Sequence, residues 1–178
     1  TTFFNCIAGY HHPNSGTITF KGKEIQHLAP YRICRLGIAR TYQIAKPFGD
    51  LSVLENAVIG AYSKASSKKE AYEIAAESIA FAGLGDKSSD FAYNLNTGDL
   101  RRLELARALS TKPELLLLDE VMAGLTPSES AEMTELVRRV NQSGVTILMI
   151  EHIMPVVMSL SDVIYVLERG KLISEGTP

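Results

Sequence analysis

The sequence predicts an α/β fold with a mainly parallel sheet and an inserted α-helical subdomain. Leu115–Leu118 form an uninterrupted apolar run, and Val145–Ile150 form a second run that is apolar apart from Thr146. Neither run alternates apolar with polar residues, which is typical of strands covered on both faces, as in parallel sheets. A helical pattern separates the two runs, and this strand–helix–strand order implies a right-handed crossover unit. The region from about residue 47 to residue 109 has a different, helical character.

The first part of the chain predicts one helix and one hairpin. Thr1–Ala8 is a short, largely apolar run that ends at Gly9, which fits a helix with a glycine stop. Two brief β-like pieces, TITF and KEI, are separated by Lys21-Gly22 and predict a β-hairpin.

The middle region predicts two helices. In Ser63–Ala82 the buried face at helical spacing comprises Ala71, Ile74, Ala75, Ile79 and Ala82. A second helix is predicted from Asp99 to Leu109, with Gly98 just before its start and Arg101-Arg102 on a solvated face. We expect residues 47–109 to form the helical subdomain, and residues 1–46 and 110–178 to form the α/β core.

The last third of the chain returns to alternating strands and helices. Thr126-Pro127-Ser128-Glu129 matches a capping box with proline at the first helical position, so a helix is predicted to begin there and to end at Gly144. Its predicted buried stripe comprises Met133, Leu136, Val137 and Val140. A further helix and two short strands are then predicted over Met154–Leu160, Val163–Leu167 and Lys171–Ser174.

Composition places the chain among globular proteins and gives no global sign of nucleic-acid binding. Of the 178 residues, 46% are hydrophobic and 21% are charged, and the net charge is −2. We therefore expect no nucleic-acid partner. No apolar run approaches the length of a membrane span, and the start of the chain does not resemble a signal peptide. The two cysteines lie far apart, which favours inert thiols over a disulfide or metal site.

Both buried strands are followed by polar side chains. Asp119-Glu120 follows the first strand and Glu151-His152 follows the second. Ligands of open parallel sheets bind at the carboxyl ends of the strands, so these side chains are expected to converge on a ligand. Adjacent carboxylates repel each other unless a cation or a proton relieves the repulsion, and a magnesium-bound nucleotide would supply the cation. Four apolar residues followed by Asp is the Walker B pattern, in which the Asp holds Mg²⁺.

Longer segments carry a more specific resemblance over the whole chain, Thr1 to Pro178. The sequence resembles the ATP-binding subunits of ABC transporters, and among them it looks most like the ATPases of branched-chain amino-acid importers. The segments that carry the resemblance are GIARTYQ at Gly37–Gln43, DLSVLENAVIG at Asp50–Gly60, RRLELARAL at Arg101–Leu109 and the closing EGTP. The resemblance implies a P-loop NTPase-type fold.

The resemblance also implies roles for individual residues around ATP and Mg²⁺. Thr1 and Thr2 would be the last hydroxyls of a P-loop, with Thr1 on the metal and Thr2 near the α-phosphate. Gln43 would be the Q-loop glutamine that touches the metal and the attacking water. Asp119 would be the Walker B ligand of Mg²⁺ and Glu120 the catalytic base. The segment Ala123–Thr126 resembles the D-loop, and His152 resembles the switch histidine that contacts the γ-phosphate.

Partners follow from the same resemblance. Asn96, Gly98 and Asp99 lie in the segment that resembles the family signature, which caps ATP held by the opposite subunit. We therefore expect a homodimer, or a heterodimer with a second ABC ATPase subunit, that binds transmembrane permease subunits. The location implied is cytoplasmic, peripheral on the inner face of the cell membrane.

The sequence also departs from the family pattern. The glycines and the lysine of GxxxxGK[ST] do not precede Thr1, so we expect the chain to be part of a longer protein. The signature reads LNTGDL where LSGGQ is common, Val121 replaces a common proline, and Ile153 replaces a common aspartate. Two alternatives stay open: a non-catalytic scaffolding module of the same fold, and an ABC ATPase for another substrate such as lipopolysaccharide export.

Overall fold

The structure is a computed structural model that describes residues 1–42 and 46–178. The helices of the described residues are α1 (Thr2–Ile7), α2 (Pro30–Leu36), α3 (Val53–Ala61), α4 (Lys68–Phe81), α5 (Thr97–Leu109), α6 (Pro127–Gln142) and α7 (Met154–Leu160). The strands are β1 (Thr19–Phe20), β2 (Lys23–Glu24), β3 (Ile38–Arg40), β4 (Leu115–Asp119), β5 (Thr146–Ile150), β6 (Ile164–Glu168) and β7 (Lys171–Gly176).

A parallel sheet of three strands, in the order β3-β4-β5, forms the centre of the fold. β4 is the middle strand, and its residues Leu116, Leu117 and Leu118 have no exposed surface. This confirms the predicted strand that is covered on both faces. Leu116 and Leu118 belong to one apolar cluster and Leu117 to another, because successive side chains of a strand point to opposite faces.

β5 was expected to be as buried as β4, and this expectation is wrong. Its side chains from Ile147 to Ile150 are only partly buried. The physical reason is its position, because β5 is an edge strand of the sheet in the described residues.

The unit β4–α6–β5 forms as predicted. Thr126 caps α6: its hydroxyl accepts the backbone N–H of Glu129, and the Glu129 carboxylate accepts the backbone N–H of Thr126. The residues of the predicted stripe are all buried, namely Met133, Leu136, Val137 and Val140. The helix ends at Gln142, shortly before Gly144, which has a φ of +96°.

The middle of the chain is helical, with one more helix than predicted. All five predicted apolar residues are buried, four of them in α4 and the fifth, Ala82, as its C-cap. The helix begins at Lys68, with Ser67 as its N-cap. α5 begins at Thr97, so Gly98 lies inside the first turn and not before the helix. α3 was not predicted, although Ser52 and Glu55 form a capping box at its start.

Two apolar clusters cover the sheet. The larger joins α3, α4 and α5 to β4 and α6, and the smaller joins α1 and α2 to β3 and β4. The larger cluster therefore crosses the predicted boundary between core and helical subdomain, and the division at residues 47 and 109 stays a prediction.

Two antiparallel hairpins complete the described residues. β1 and β2 form the predicted hairpin, in which Lys21 and Gly22 both have positive φ, as a tight turn requires. β6 and β7 pair with each other, and most of their side chains are exposed. None of the helices in the described parts of the chain is long and apolar enough to cross a membrane.

Candidate functional site

The carboxyl ends of β4 and β5 bring the predicted acidic residues to one edge of the sheet. Asp119 is in register with Ile150, the last residue of β5. The backbone N–H of the next residue, Glu120, donates to the carbonyl of Ile150 at 2.9 Å. Glu120 has a φ of +50°, a left-handed conformation that is uncommon for a residue with a side chain. Such backbone strain concentrates at functional sites.

Asp119 lies on the face of the sheet that carries α1. Its carboxylate is fully buried, and its Oδ1 accepts from the hydroxyl of Thr1 at 3.4 Å. Its backbone N–H donates to the Thr41 hydroxyl at 3.4 Å. The structure therefore brings together Thr1 and Asp119, both of which were predicted to hold the metal. Thr2, which begins α1, is exposed.

Arg40 is a residue of this site that the sequence reasoning missed. It ends β3, and its Nη2 donates to Oδ2 of Asp119 at 2.9 Å. The only signal in the sequence was a charged residue closing the apolar run Ile38-Ala39 within GIARTYQ. That pattern is also typical of a strand end that meets solvent, so it did not indicate a buried partner for Asp119.

A magnesium ion fits the donors that Thr1 and Asp119 present. A hydroxyl and a carboxylate are the hard oxygen ligands that Mg²⁺ prefers. The described residues contain no group of three or more His, Cys, Asp or Glu side chains that could hold a metal ion by themselves. Mg²⁺ bound by one or two protein oxygens takes further ligands from water and substrate phosphates, as in ATPase sites. The donor set therefore matches a nucleotide-bound metal better than a metal held by the protein alone.

The turn after Glu120 is fixed by Glu151, a second residue whose role was not predicted. Oε1 of Glu151 accepts the backbone N–H of Met122 at 3.0 Å. His152 follows as an exposed residue, and its backbone N–H donates to Oε2 of Glu151 at 3.3 Å. Its ring makes no hydrogen bond to Thr1 or Asp119, all three being described residues, so its switch role stays a prediction.

Gln43 lies outside the described residues, but the backbone just before it is held by α5. Oε1 of Glu104 accepts the backbone N–H of Tyr42, and Nη1 of Arg101 donates to the Tyr42 carbonyl at 3.1 Å. Nη2 of Arg101 donates to the carbonyl of Ala123 at 3.2 Å, in the segment that resembles the D-loop. α5 therefore connects the chain after β3 with the chain after β4.

The expectation that Arg101-Arg102 forms a solvated face is wrong for Arg101. The side chains of Arg101 and Glu104 are each 8% exposed, and 3.6 Å separates Arg101 Nη1 from Glu104 Oε2. Burial raises the pKa of Glu104, against the opposing effects of the Tyr42 N–H and Arg101. Burial also raises the pKa of Tyr42, helped by its hydrogen bond to Tyr10. Arg101 was misassigned because helical spacing cannot show which polar residues have buried partners.

The residues of the signature-like segment lie at the start of α5, and their contacts run to α6 and to Lys87. Oδ1 of Asn96 accepts the backbone N–H of Asp99 at 2.8 Å and caps the helix. Asp99 forms an ion pair with Lys87. Gly98 is buried against Glu129. These residues make no hydrogen bond to Thr1 or Asp119 within the described chain, so their role toward an opposite subunit stays a prediction.

The fold and the site together are those of an α/β protein of the P-loop NTPase type, in which a buried aspartate ends the central strand. Residues 1–123 match the ABC transporter family, and the chain belongs to that family. It is similar to the high-affinity branched-chain amino acid transport ATP-binding protein LivG of Salmonella typhimurium, at 38% identity over 100% of this chain and 76% of that protein. It is also similar to a probable LivG protein of Archaeoglobus fulgidus, at 35% identity over 99% of this chain and 73% of that protein.

Among solved structures, the chain is similar to a nucleotide-free ATP-binding cassette from an ABC transporter. The TM-score is 0.87 at 28% identity, over 99% of this chain and 75% of that one. An ATP-binding cassette solved in its ADP conformation gives a TM-score of 0.87 at 29% identity, again over 99% and 75% of the two chains. The fold predicted from the sequence, a mainly parallel sheet with helical insertion as in ABC ATPases, is thereby confirmed.

Proposed function

We propose that the full-length protein binds and hydrolyses ATP as the motor subunit of an ABC importer for branched-chain amino acids. The transport function follows from the relatives, which are named as branched-chain amino acid transport ATP-binding proteins. The observation that carries the catalytic part is the contact between the Thr1 hydroxyl and the buried carboxylate of Asp119, with Glu120 next in the chain. A scaffolding module would have no need for these groups at one strand end.

The predicted roles divide the site between metal binding and proton transfer. Thr1, Gln43 and Asp119 would hold the Mg²⁺ of bound MgATP, with Thr2 near the α-phosphate. When bound, the metal supplies charge stabilisation for the transferred phosphoryl group. Glu120 would orient the attacking water and accept its proton as general base.

Other residues of the proposal act on the phosphates. His152 would contact the γ-phosphate, and Gln43 would report the state of the site to a membrane partner. Asn96, Gly98 and Asp99 would cap the ATP that is held by a second ABC ATPase subunit. We infer that the chain works as a dimer on transmembrane permease subunits, at the cytoplasmic face of the cell membrane.

The Glu120→Gln variant tests the proposed reaction. Glutamine keeps the size of the side chain but cannot accept the proton, so we expect ATP turnover to fall at least about 100-fold. ATP affinity in the presence of Mg²⁺ should stay within about threefold, because the metal and phosphate contacts are unchanged. Both are measured on the same preparations, by phosphate release and by titration calorimetry.

A matched control is Glu77→Gln, which makes the same change at an exposed position of α4 and should leave turnover unchanged. Turnover by Glu120→Gln equal to that of the wild type would remove Glu120 from the base role. A wild-type chain that binds ATP with Mg²⁺ but never releases phosphate would favour the non-catalytic alternative.

A further inference from the structure

Asp119 has a buried cationic partner to which the proposed reaction assigns no role. The side chain of Arg40 is 6% exposed and that of Asp119 is 0% exposed, and the two are joined at 2.9 Å between Nη2 and Oδ2. Burying a carboxylate is costly unless a cation with good geometry and further hydrogen bonds compensates it. Arg40 therefore holds this carboxylate in one place.

Arg40 is itself held by the helix that follows Thr1. Its Nη1 donates to Oδ1 of Asn5 at 2.5 Å. Its guanidinium lies 5.8 Å from the ring centroid of Phe4 and 5.4 Å from that of Tyr42. The planar fork of arginine can contact two acceptors and stack on rings at once, which the point charge of lysine cannot do. The position of Arg40 is thus set jointly by α1 and by the chain after β3.

The two oxygens of Asp119 have different partners. Oδ2 is occupied by Arg40, whereas Oδ1 faces the hydroxyl of Thr1 at 3.4 Å. A single carboxylate that is fixed through one oxygen presents the other in a defined direction. Here Oδ1 is turned toward the Thr1 hydroxyl, which is the other oxygen donor of the candidate metal site.

We propose that Arg40 is a positioning residue for metal binding, which holds Oδ2 of Asp119 so that Oδ1 stays turned toward Thr1 and the Mg²⁺ of MgATP. The inference rests on the proposed function. In this proposal Arg40 acts only through Asp119. Removing a group that orients a metal ligand typically lowers metal affinity 10- to 100-fold.

Positioning and simple core packing predict different results. A side chain that only supports the fold affects ATP affinity equally with and without metal. A side chain that orients a metal ligand affects only the gain in ATP affinity that Mg²⁺ provides. The readout is therefore the ratio of ATP dissociation constants in EDTA and in excess Mg²⁺, measured by titration calorimetry on the full-length protein.

The test compares Arg40→Met and Arg40→Lys with the wild type, and Arg32→Met serves as the control. Arg32 lies on the exposed side of α2, so its replacement should leave the ratio unchanged. For Arg40→Met we expect the ratio to fall at least about tenfold while ATP affinity in EDTA stays within about twofold. Lysine can pair with Asp119 but cannot also reach Asn5, so the ratio for Arg40→Lys should lie between those of the wild type and Arg40→Met.

Thermal unfolding of each variant shows whether it is folded, and Arg40→Lys carries the test if Arg40→Met does not fold. A ratio in the folded Arg40 variants equal to that of the wild type would overturn the inference. An equal loss of ATP affinity in EDTA and in Mg²⁺ would also overturn it, in favour of a packing role. Wild-type protein that binds no ATP under either condition would contradict the proposed function itself, and the inference with it.

Discussion

At the scale of single residues, the adjacent carboxylates Asp119 and Glu120 have different environments. Asp119 is fully buried between Thr1 and Arg40, whereas Glu120 is partly exposed and lies in the turn after the strand. The difference follows from position, because Asp119 ends the buried strand β4 whereas Glu120, with a φ of +50°, begins the turn after it. Fixed metal binding by the first and proton transfer by the second are consistent with these environments.

Glu104 provides a residue-scale prediction that depends on pH. Burial raises its pKa above the ordinary value of 4.5, so the folded state binds this proton more tightly than the unfolded state. The stability contributed by the proton is complete below 4.5 and is lost as the pH rises through the raised pKa. Relative to Glu104→Gln, which does not titrate there, the wild type should therefore lose free energy of unfolding between about pH 4.5 and about pH 7.5.

Urea denaturation of both proteins at the two pH values measures this difference. Glu77→Gln controls for the loss of one charge, and its difference from the wild type should change less with pH. If the difference in free energy of unfolding between the wild type and Glu104→Gln is the same at both pH values, burial does not shift the pKa of Glu104.

At the scale of elements, the start of α5 packs against the start of α6. A Cβ placed on Gly98 would lie 2.7 Å from Oε1 of Glu129. Oε2 of the same carboxylate accepts from both the backbone N–H and the hydroxyl of Thr126, at 2.8 Å each. Glu129 can move away from a new methyl group only by weakening this capping box. The glycine of the signature-like segment is thus tied to the N-terminus of the next helix.

The contact predicts a specific result for Gly98→Ala. The methyl group should displace Glu129, and the loss of the cap interaction should lower the free energy of unfolding by about 1 kcal/mol. In a Glu129→Ala background the same substitution meets no carboxylate, so its cost should largely disappear. Urea denaturation of the two single variants and the double variant measures the coupling. If the losses of free energy of unfolding in the two single variants add up to the loss in the double variant, the glycine is needed for a reason other than this contact.

At the scale of the whole molecule, the sequence predicted most helices and strands but missed α2, α3 and β3. β4, α4 and α6 have strong apolar patterns or capping residues, and each was predicted in nearly the right place. β3 has only three residues, too few for a periodic pattern, and it forms because it pairs with β4. Pairing of that kind depends on residues far apart in the chain, which local patterns do not encode.

The candidate site was also predicted only in part. The strand-end position of Asp119 and Glu120 could be predicted, since it follows from the apolar run before them. The strand-end position of Glu151 was predicted in the same way, but its contact with the Met122 N–H was not. The pairing of Arg40 with Asp119 was not predicted either, because the two residues meet only when β3 and β4 assemble into the sheet. Arg101 was misassigned for a related reason, since two of its partners, Tyr42 and Ala123, lie on segments outside α5.

Arg101 connects those segments, and its replacement should affect the stability of the whole molecule. Arg101→Met removes the donors to the Tyr42 and Ala123 carbonyls and leaves the charge of Glu104 buried without its ion pair. Breaking a buried pair in this way should lower the free energy of unfolding by about 3 kcal/mol.

Adding Glu104→Gln separates the buried charge from the lost backbone contacts. Glutamine still accepts the Tyr42 N–H but carries no charge, so Arg101→Met/Glu104→Gln should be more stable than Arg101→Met by at least about 1 kcal/mol. The exposed Arg32 of α2 serves as the control, and Arg32→Met should change the free energy of unfolding by about 0.5 kcal/mol or less. Urea denaturation of the wild type and the three variants measures these differences. Equal costs for Arg101→Met and Arg32→Met would show that Arg101 contributes no more to stability than a surface arginine.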